Sequence, residues 1–189
     1  MKGAGKDMCT NYTGYHDNLS AKFKEILNYS NVIERIMQDD KITTFVNMLH
    51  WNLQESEVNS IIRRKIDLID ASDYDMLLLA GQKHTWSNTV KFIAAAGYPK
   101  NKKALPSLVL LLQDLNWPGA NDGMRVLKAA HMKDSTVSIP ILEAAIESAF
   151  IDNDTIWLAW IKHFLKYAQI DRSCFINHDI YDLLKHAEW

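Results

Sequence analysis

The stretch from Ala104 to Ala120, ALPSLVLLLQDLNWPGA, is the densest apolar run of the chain and constrains the fold more than any other feature. Its uninterrupted apolar core, Leu108 to Leu112, must be buried on more than one side, whether it forms a helix or a strand. Leucine dominates the run and only Val109 is β-branched, which favours a helix. Pro106 suits the first turn of that helix, where a missing N–H removes no hydrogen bond.

A polar turn follows the apolar run. Gln113, Asp114 and Asn116 supply turn chemistry, and we expect Asn116 to cap a second helix whose first turn holds Trp117 and Pro118. The stretch therefore predicts a helix, a tight turn and the start of another helix.

Apolar residues recur at helical spacing along most of the remaining sequence. The clearest stripe places its members at i, i+3, i+4, i+7, i+8 and i+11, and they are Trp157, Trp160, Ile161, Phe164, Leu165 and Ala168. No alternation of the kind typical of strands is present. The sequence predicts an all-α fold.

Several helix ends can be assigned from single residues. Gly97 predicts the end of a helix that includes Trp86, and Asp154 and Asn177 predict N-caps. We also expect a short helix from Ser72 to Ala80, and a loop at Asp134-Ser-Thr.

Composition limits the classes of function. A chain of 189 residues can bury roughly 70% of its unfolded surface. The net charge of -2 provides no attraction to nucleic acid or to an anionic membrane. The two cysteines, Cys9 and Cys174, are far apart and typical of free thiols in a reducing compartment. With no secretory signal and no long apolar run, the sequence favours a cytoplasmic protein that does not enter membranes.

Three regions are predicted along the chain. Residues 1–17 are polar and form a leader, residues 18–99 form an N-terminal helical region, and residues 100–189 form a second helical domain. The boundary rests on a change in composition, because all four prolines lie between Pro99 and Pro140.

The second region contains an internal repeat. Pro106 and Pro140 lie 34 residues apart, each within a Leu/Ile-Pro-x-Leu pattern, and further apolar residues match at this offset. The matched pairs are Leu112 with Ile146, Met124 with Leu158, and Leu127 with Ile161. A period of this size is typical of stacked helical hairpins, so we expect a HEAT-like α-α superhelix.

The segment LPSLVLLLQDLNWPGA, together with the later Asp-Asn-Asp turn and Trp-rich helix, resembles a bacterial family, domain-of-unknown-function family 5071. The resemblance covers roughly residues 101–187 and is most specific at Leu112-Gln-Asp-Leu-Asn-Trp-Pro118. It implies a HEAT-like helical-repeat fold and no assigned activity.

The turn residues Asp114, Asn116 and Trp117 are the candidate partner-binding site, and two interpretations remain open. In a structural role, the polar side chains bond to backbone N–H groups while the indole packs between hairpins. In a functional role, Trp117 anchors a partner protein.

Other constellations fit no known chemistry. Asp152 and Asp154 lack the remaining ligands of a calcium loop. His178, Asp182 and His186 span two helical turns, about 12 Å, which is too far for one zinc ion. No catalytic motif, cofactor motif or metal site is predicted.

The sequence therefore favours a non-catalytic helical-repeat protein that binds another protein, with toxin neutralisation or enzyme regulation as specific versions. The alternative is a hydrolase or nucleic-acid enzyme on a helical-repeat scaffold. A third hypothesis is self-assembly through the last helices, with Trp160 or Trp189 exposed.

Overall fold

The computed structural model describes residues 21–38 and 40–189, and within them every regular element is a helix. The all-α prediction is confirmed for this part of the chain, whereas the predicted leader, residues 1–17, and Cys9 lie outside it. The α-helices are α1 (Ala21–Ile26), α2 (Tyr29–Gln38), α3 (Asp40–Asn47), α4 (Glu55–Lys65), α5 (Lys83–Ala96), α6 (Leu105–Leu110), α7 (Ala120–Lys133), α8 (Ser135–Ile151), α9 (Thr155–Ala168) and α10 (His178–Asp182).

The central apolar run is helical, as predicted. Pro106 stands in the first turn of α6, and a 3-10 turn, Leu111–Gln113, continues the helix. The predicted start of the next helix is wrong, because α7 begins at Ala120 with Gly119 as its N-cap. Asn116 does not cap α7, since its own backbone and side-chain N–H groups both donate to Asp114 Oδ1.

Two further local predictions are wrong. Asp134 is not in a loop but is the N-cap of α8, because its side chain accepts a hydrogen bond from Thr136 N. The segment Ser72–Ala80 contains only part of a 3-10 turn, followed by irregular turns. Its first residues bond to Arg35 of α2 instead of capping a helix.

Helix α8 is the centre of the fold. It is apolar around most of its circumference, and α6, α7 and α9 all pack against it. Helix α1 packs on it as well. Lys22 forms an ion pair with Glu147, and the ring of Phe23 lies 5.6 Å from that of Trp157 at the start of α9. Buried side chains from both sides of residue 100 form one cluster, while the predicted domain boundary there stays a prediction.

Helices α4, α5 and α7 run in the same direction, side by side. At the N-terminal ends of the three helices, Trp51 N donates to His84 O over 2.8 Å, and a Cβ at Gly119 would lie 3.1 Å from Ser87 Cα. At their C-terminal ends, Lys100 Nζ donates to Ile66 O over 2.5 Å, and the Tyr98 hydroxyl donates to Asp134 over 2.7 Å. This row of three helices carries the candidate site.

None of the helices within residues 21–38 and 40–189 is long and apolar enough to cross a membrane.

Candidate functional site

The polar residues of the turn between α6 and α7 bond to each other. Asp114 Oδ1 accepts from Asn116 N and from Asn116 Nδ2, both over 2.9 Å. Asp114 is half-buried and Asn116 is exposed. These are the bonds expected of the structural interpretation, in which short polar side chains satisfy the backbone of a turn.

Trp117 leaves this turn and lies against the start of α5. Its ring is half-buried, with its centroid 5.5 Å from that of Trp86. Lys83 Nζ lies 4.6 Å from the Trp117 ring centroid, a cation–π geometry. The contact is possible because the turn approaches α5 closely at Gly119, where a Cβ would be 3.1 Å from the Trp86 carbonyl oxygen.

The other side of the same helix end carries a second aromatic group. The rings of His50 and His84 lie 4.7 Å apart, and the Trp51 ring meets His50 edge-on at 5.9 Å. Asn88 Nδ2 donates to His50 O over 2.8 Å and so fixes the loop against α5. Trp51 is 62% exposed. Its backbone N–H donates to His84 O over 2.8 Å, which ties this exposed residue to the first turn of α5.

We name the combined region the aromatic surface, formed by His50, Trp51, Lys83, His84, Trp86 and Trp117. Sequence reasoning identified Trp117 and missed the others. The missed residues come from two segments, 50–51 and 83–86, and the pairing of the 50–52 loop with the first turn of α5 brings them together. The available signal was the recurrence of His and Trp, in His50-Trp51 and His84-x-Trp86.

A groove of about 520 Å³ lies farther along α5, between α4 and α7. Ala94 and Ala95 of α5 are exposed on its floor, and small or branched apolar residues of α4 and α7 form its walls. Charged side chains of both signs line it, including Lys91 and the ion pair between Arg125 and Asp122 at 2.7 Å. The small floor allows close approach by a partner backbone.

The candidate ligands for a metal do not converge. Within residues 21–38 and 40–189, no group of three or more His, Cys, Asp or Glu side chains could hold a metal ion. Asp154 caps α9 through Trp157 N at 2.8 Å. Asp182 accepts two bonds of 2.9 Å from Arg172, and these hold the pKa of that carboxyl below its ordinary value. His186 instead lies against Phe150.

A small cavity of about 10 Å³ adjoins Trp117 and is bordered by Trp86, Gln113 and Ser107. The Ser107 hydroxyl donates to Ala104 O over 2.9 Å, and among the described residues neither Asp114 nor a histidine lines this cavity. An enzyme site would need convergent titratable groups in a cleft. The arrangement around Trp117 consists of aromatic rings, the ammonium group of Lys83 and the polar side chains of the turn.

Comparison of the chain with protein-family models, with curated proteins and with solved structures gave no match. The resemblance to domain-of-unknown-function family 5071 stays a prediction.

Proposed function

We propose that this chain is a non-catalytic helical-repeat protein that binds another protein through the aromatic surface. The observation that carries the proposal is the position of Trp51, which is 62% exposed while its N–H donates to His84 O and its ring meets His50 and His84 edge-on. Trp is the residue most often responsible for binding energy at protein interfaces, and a preordered side chain loses little entropy on binding. Trp117, half-buried beneath Lys83, supplies a second anchor.

The composition of the aromatic surface favours a protein partner. This surface consists of three Trp side chains, of which Trp86 is buried, together with two His side chains and Lys83, and Asp114 and Asn116 lie at its edge. An interface with nucleic acid would need several basic side chains directed at phosphates. The Ala-floored groove farther along α5 extends the contact region, because an amphipathic helix of a partner fits between two parallel helices.

The fold supports the HEAT-like part of the proposal. Equivalent helices of successive hairpins run parallel in such stacks, as α5 and α7 do. The residues matched at the 34-residue offset are buried in both copies, with Leu112 and Ile146 at 0% exposure. Stacked hairpins and a place in family 5071 remain part of this proposal, as do a cytoplasmic location and a role in toxin neutralisation or enzyme regulation.

Site-specific photo-crosslinking in the native host tests the proposal. A photoreactive residue at position 51 or 116 should capture one partner in stoichiometric amount, whereas the same residue at Ile176, which is 75% exposed and apolar, should not. Trp51→Ala and Trp117→Ala should each weaken the isolated complex about tenfold or more. Recovery of no stoichiometric partner, or equal capture from position 176, would contradict the proposal.

A further inference from the structure

A second cavity, separate from the aromatic surface, lies between α9 and the chain that follows α10. Its volume is about 440 Å³, within the range of small-molecule sites. Leu165 and Leu184, each only 3% exposed, line its apolar interior. Tyr181 and Trp189 add aromatic rings. We name this cavity the α9 cleft.

The charged side chains that line the α9 cleft are all basic. Lys162, His163 and Lys166 occupy positions i, i+1 and i+4 of α9 and are exposed to solvent. In the part of the chain that the structure describes, no Asp or Glu lines the cleft. This local excess of positive charge contrasts with the net charge of -2 for the whole chain.

Helix stability explains only part of this pattern. A cation in the last turn of a helix complements the helix dipole, which accounts for Lys166. Lys162 lies one turn earlier, and its Nζ donates to Leu184 O over 3.4 Å, across the cleft. His163 contacts Trp160 edge-on at 6.0 Å. The bond from Lys162 places its ammonium group across the cleft, at the wall formed by Leu184.

Trp189 borders the cleft with a ring that is mostly free. It is 78% exposed and touches Trp160 edge-on, with ring centroids 4.4 Å apart. The face of an indole in this position can stack on an aromatic or aliphatic body. The cleft thus combines an apolar interior, an aromatic wall and basic groups at the rim.

We propose that the α9 cleft binds an amphipathic organic anion, with its carboxylate or phosphate at Lys162 and Lys166 and its apolar body against Trp189 and the accessible parts of Tyr181 and Ala187. Free inorganic anions are not the preferred ligands, because they would not cover the apolar lining of the cleft. Uncharged apolar ligands are not the preferred ligands, because they would gain no charge-assisted contact with Lys162 or Lys166.

Fluorescence titration of the full chain with anilinonaphthalene sulfonate tests this inference. One molecule per chain should bind, with energy transfer from tryptophan that falls in Trp189→Phe. The double variant Lys162→Gln/Lys166→Gln should bind about tenfold more weakly, since two charge-assisted contacts are lost. Lys185→Gln removes a nearby exposed lysine that does not line the cleft, and it should bind as the unchanged chain does.

Competitors identify the ligand class and decide the outcome. Decanoate or naphthyl phosphate should displace the probe, and the stronger of the two shows whether a carboxylate or a phosphate is preferred. Inorganic phosphate alone, or uncharged N-phenylnaphthylamine, should compete far less. The inference is overturned if the double lysine variant binds the probe as Lys185→Gln does, or if either of the last two competitors matches the amphipathic anions. Neither result bears on the aromatic surface.

Discussion

The helix pairs α6–α7 and α8–α9 are closed by turns that work differently. In the turn between α8 and α9, Asp154 caps the second helix and Asn153 adopts a left-handed conformation, with φ of +54°. In the turn between α6 and α7, Gly119 takes the N-cap position without any side-chain bond, and Trp117 reaches α5. One turn stabilises its own helix pair, whereas the other ties its helix pair to a neighbouring helix and places Trp117 beside it.

The largest effect is expected at Leu112 and Ile146, the positions matched between the two helix pairs. Leu112→Ala and Ile146→Ala each empty a fully buried position, so each should lower the free energy of unfolding by about 2–5 kcal/mol. Urea denaturation measures both. A cost below about 1 kcal/mol at either position would contradict the matched roles assigned to them.

A substitution at Gly119, before α7, should lower stability more than a substitution at Asn153, between α8 and α9. A Cβ at Gly119 would lie 3.0 Å from Val90 Cγ2 and 3.1 Å from backbone atoms of α5. Gly119→Asn keeps a residue that accepts a left-handed conformation, so its expected cost of about 1–3 kcal/mol reports the close approach. Asn153→Gly is the matched control and should change the unfolding free energy by less than about 1 kcal/mol. Equal effects in thermal unfolding would show that the approach to α5 is not tight.

Loss of Asp154, in the turn between α8 and α9, should lower the free energy of unfolding more than loss of Asp114, in the turn between α6 and α7. Asp154→Ala removes an N-cap and should cost about 1 kcal/mol, whereas Asp154→Asn should restore most of it. Asp114→Ala removes bonds to the exposed Asn116 and should cost less than about 0.5 kcal/mol. Denaturant titration at neutral pH compares the three variants. If Asp114→Ala proved the more costly, the α6–α7 turn would depend on its own side chains after all.

The smallest expected effect on stability concerns the junction of α7 and α8, where His131 Nδ1 lies 2.8 Å from Ser138 Oγ. Burial lowers the pKa of His131 from its ordinary value of 6.5. As the pH falls, His131 therefore becomes protonated in the unfolded chain before it does so in the folded chain. Its effect on the free energy of unfolding is neutral above pH 6.5 and becomes destabilising as the pH falls through that value. In His131→Gln, the difference in thermal stability between neutral and mildly acidic pH should shrink. An unchanged difference would assign the acid sensitivity to other groups.

Local patterns predicted the helices better than the contacts among them. The stripe from Trp157 to Ala168 gave α9, and Gly97 gave the end of α5, because spacing and capping act within a few residues. The start of α7 was misplaced because the close approach of Gly119 to α5 is a tertiary contact. The segment after Ser72 was misassigned for a similar reason, since Arg35 binds Asp73 and Asp75.

The candidate site was predictable only in part. Trp117 stood out in an unusual turn, but nothing local to it indicated Trp51, His50 or His84. The 50–51 segment and Trp117 both pack on the N-terminal part of α5. Packing between distant segments leaves no periodic signature in a single sequence.

The packing of α1 on α8 has a consequence for the order of events during synthesis. Phe23 leaves the ribosome before Trp157, whose ring packs against it. Until Trp157 is made, α1 can pack against α2 but not against α8 or α9, because long-range contacts form after the chain between them is complete. We expect the docking of α1 on α8 to be a late stage of folding, so residues 100–189 expressed alone would lack part of the covering of α8.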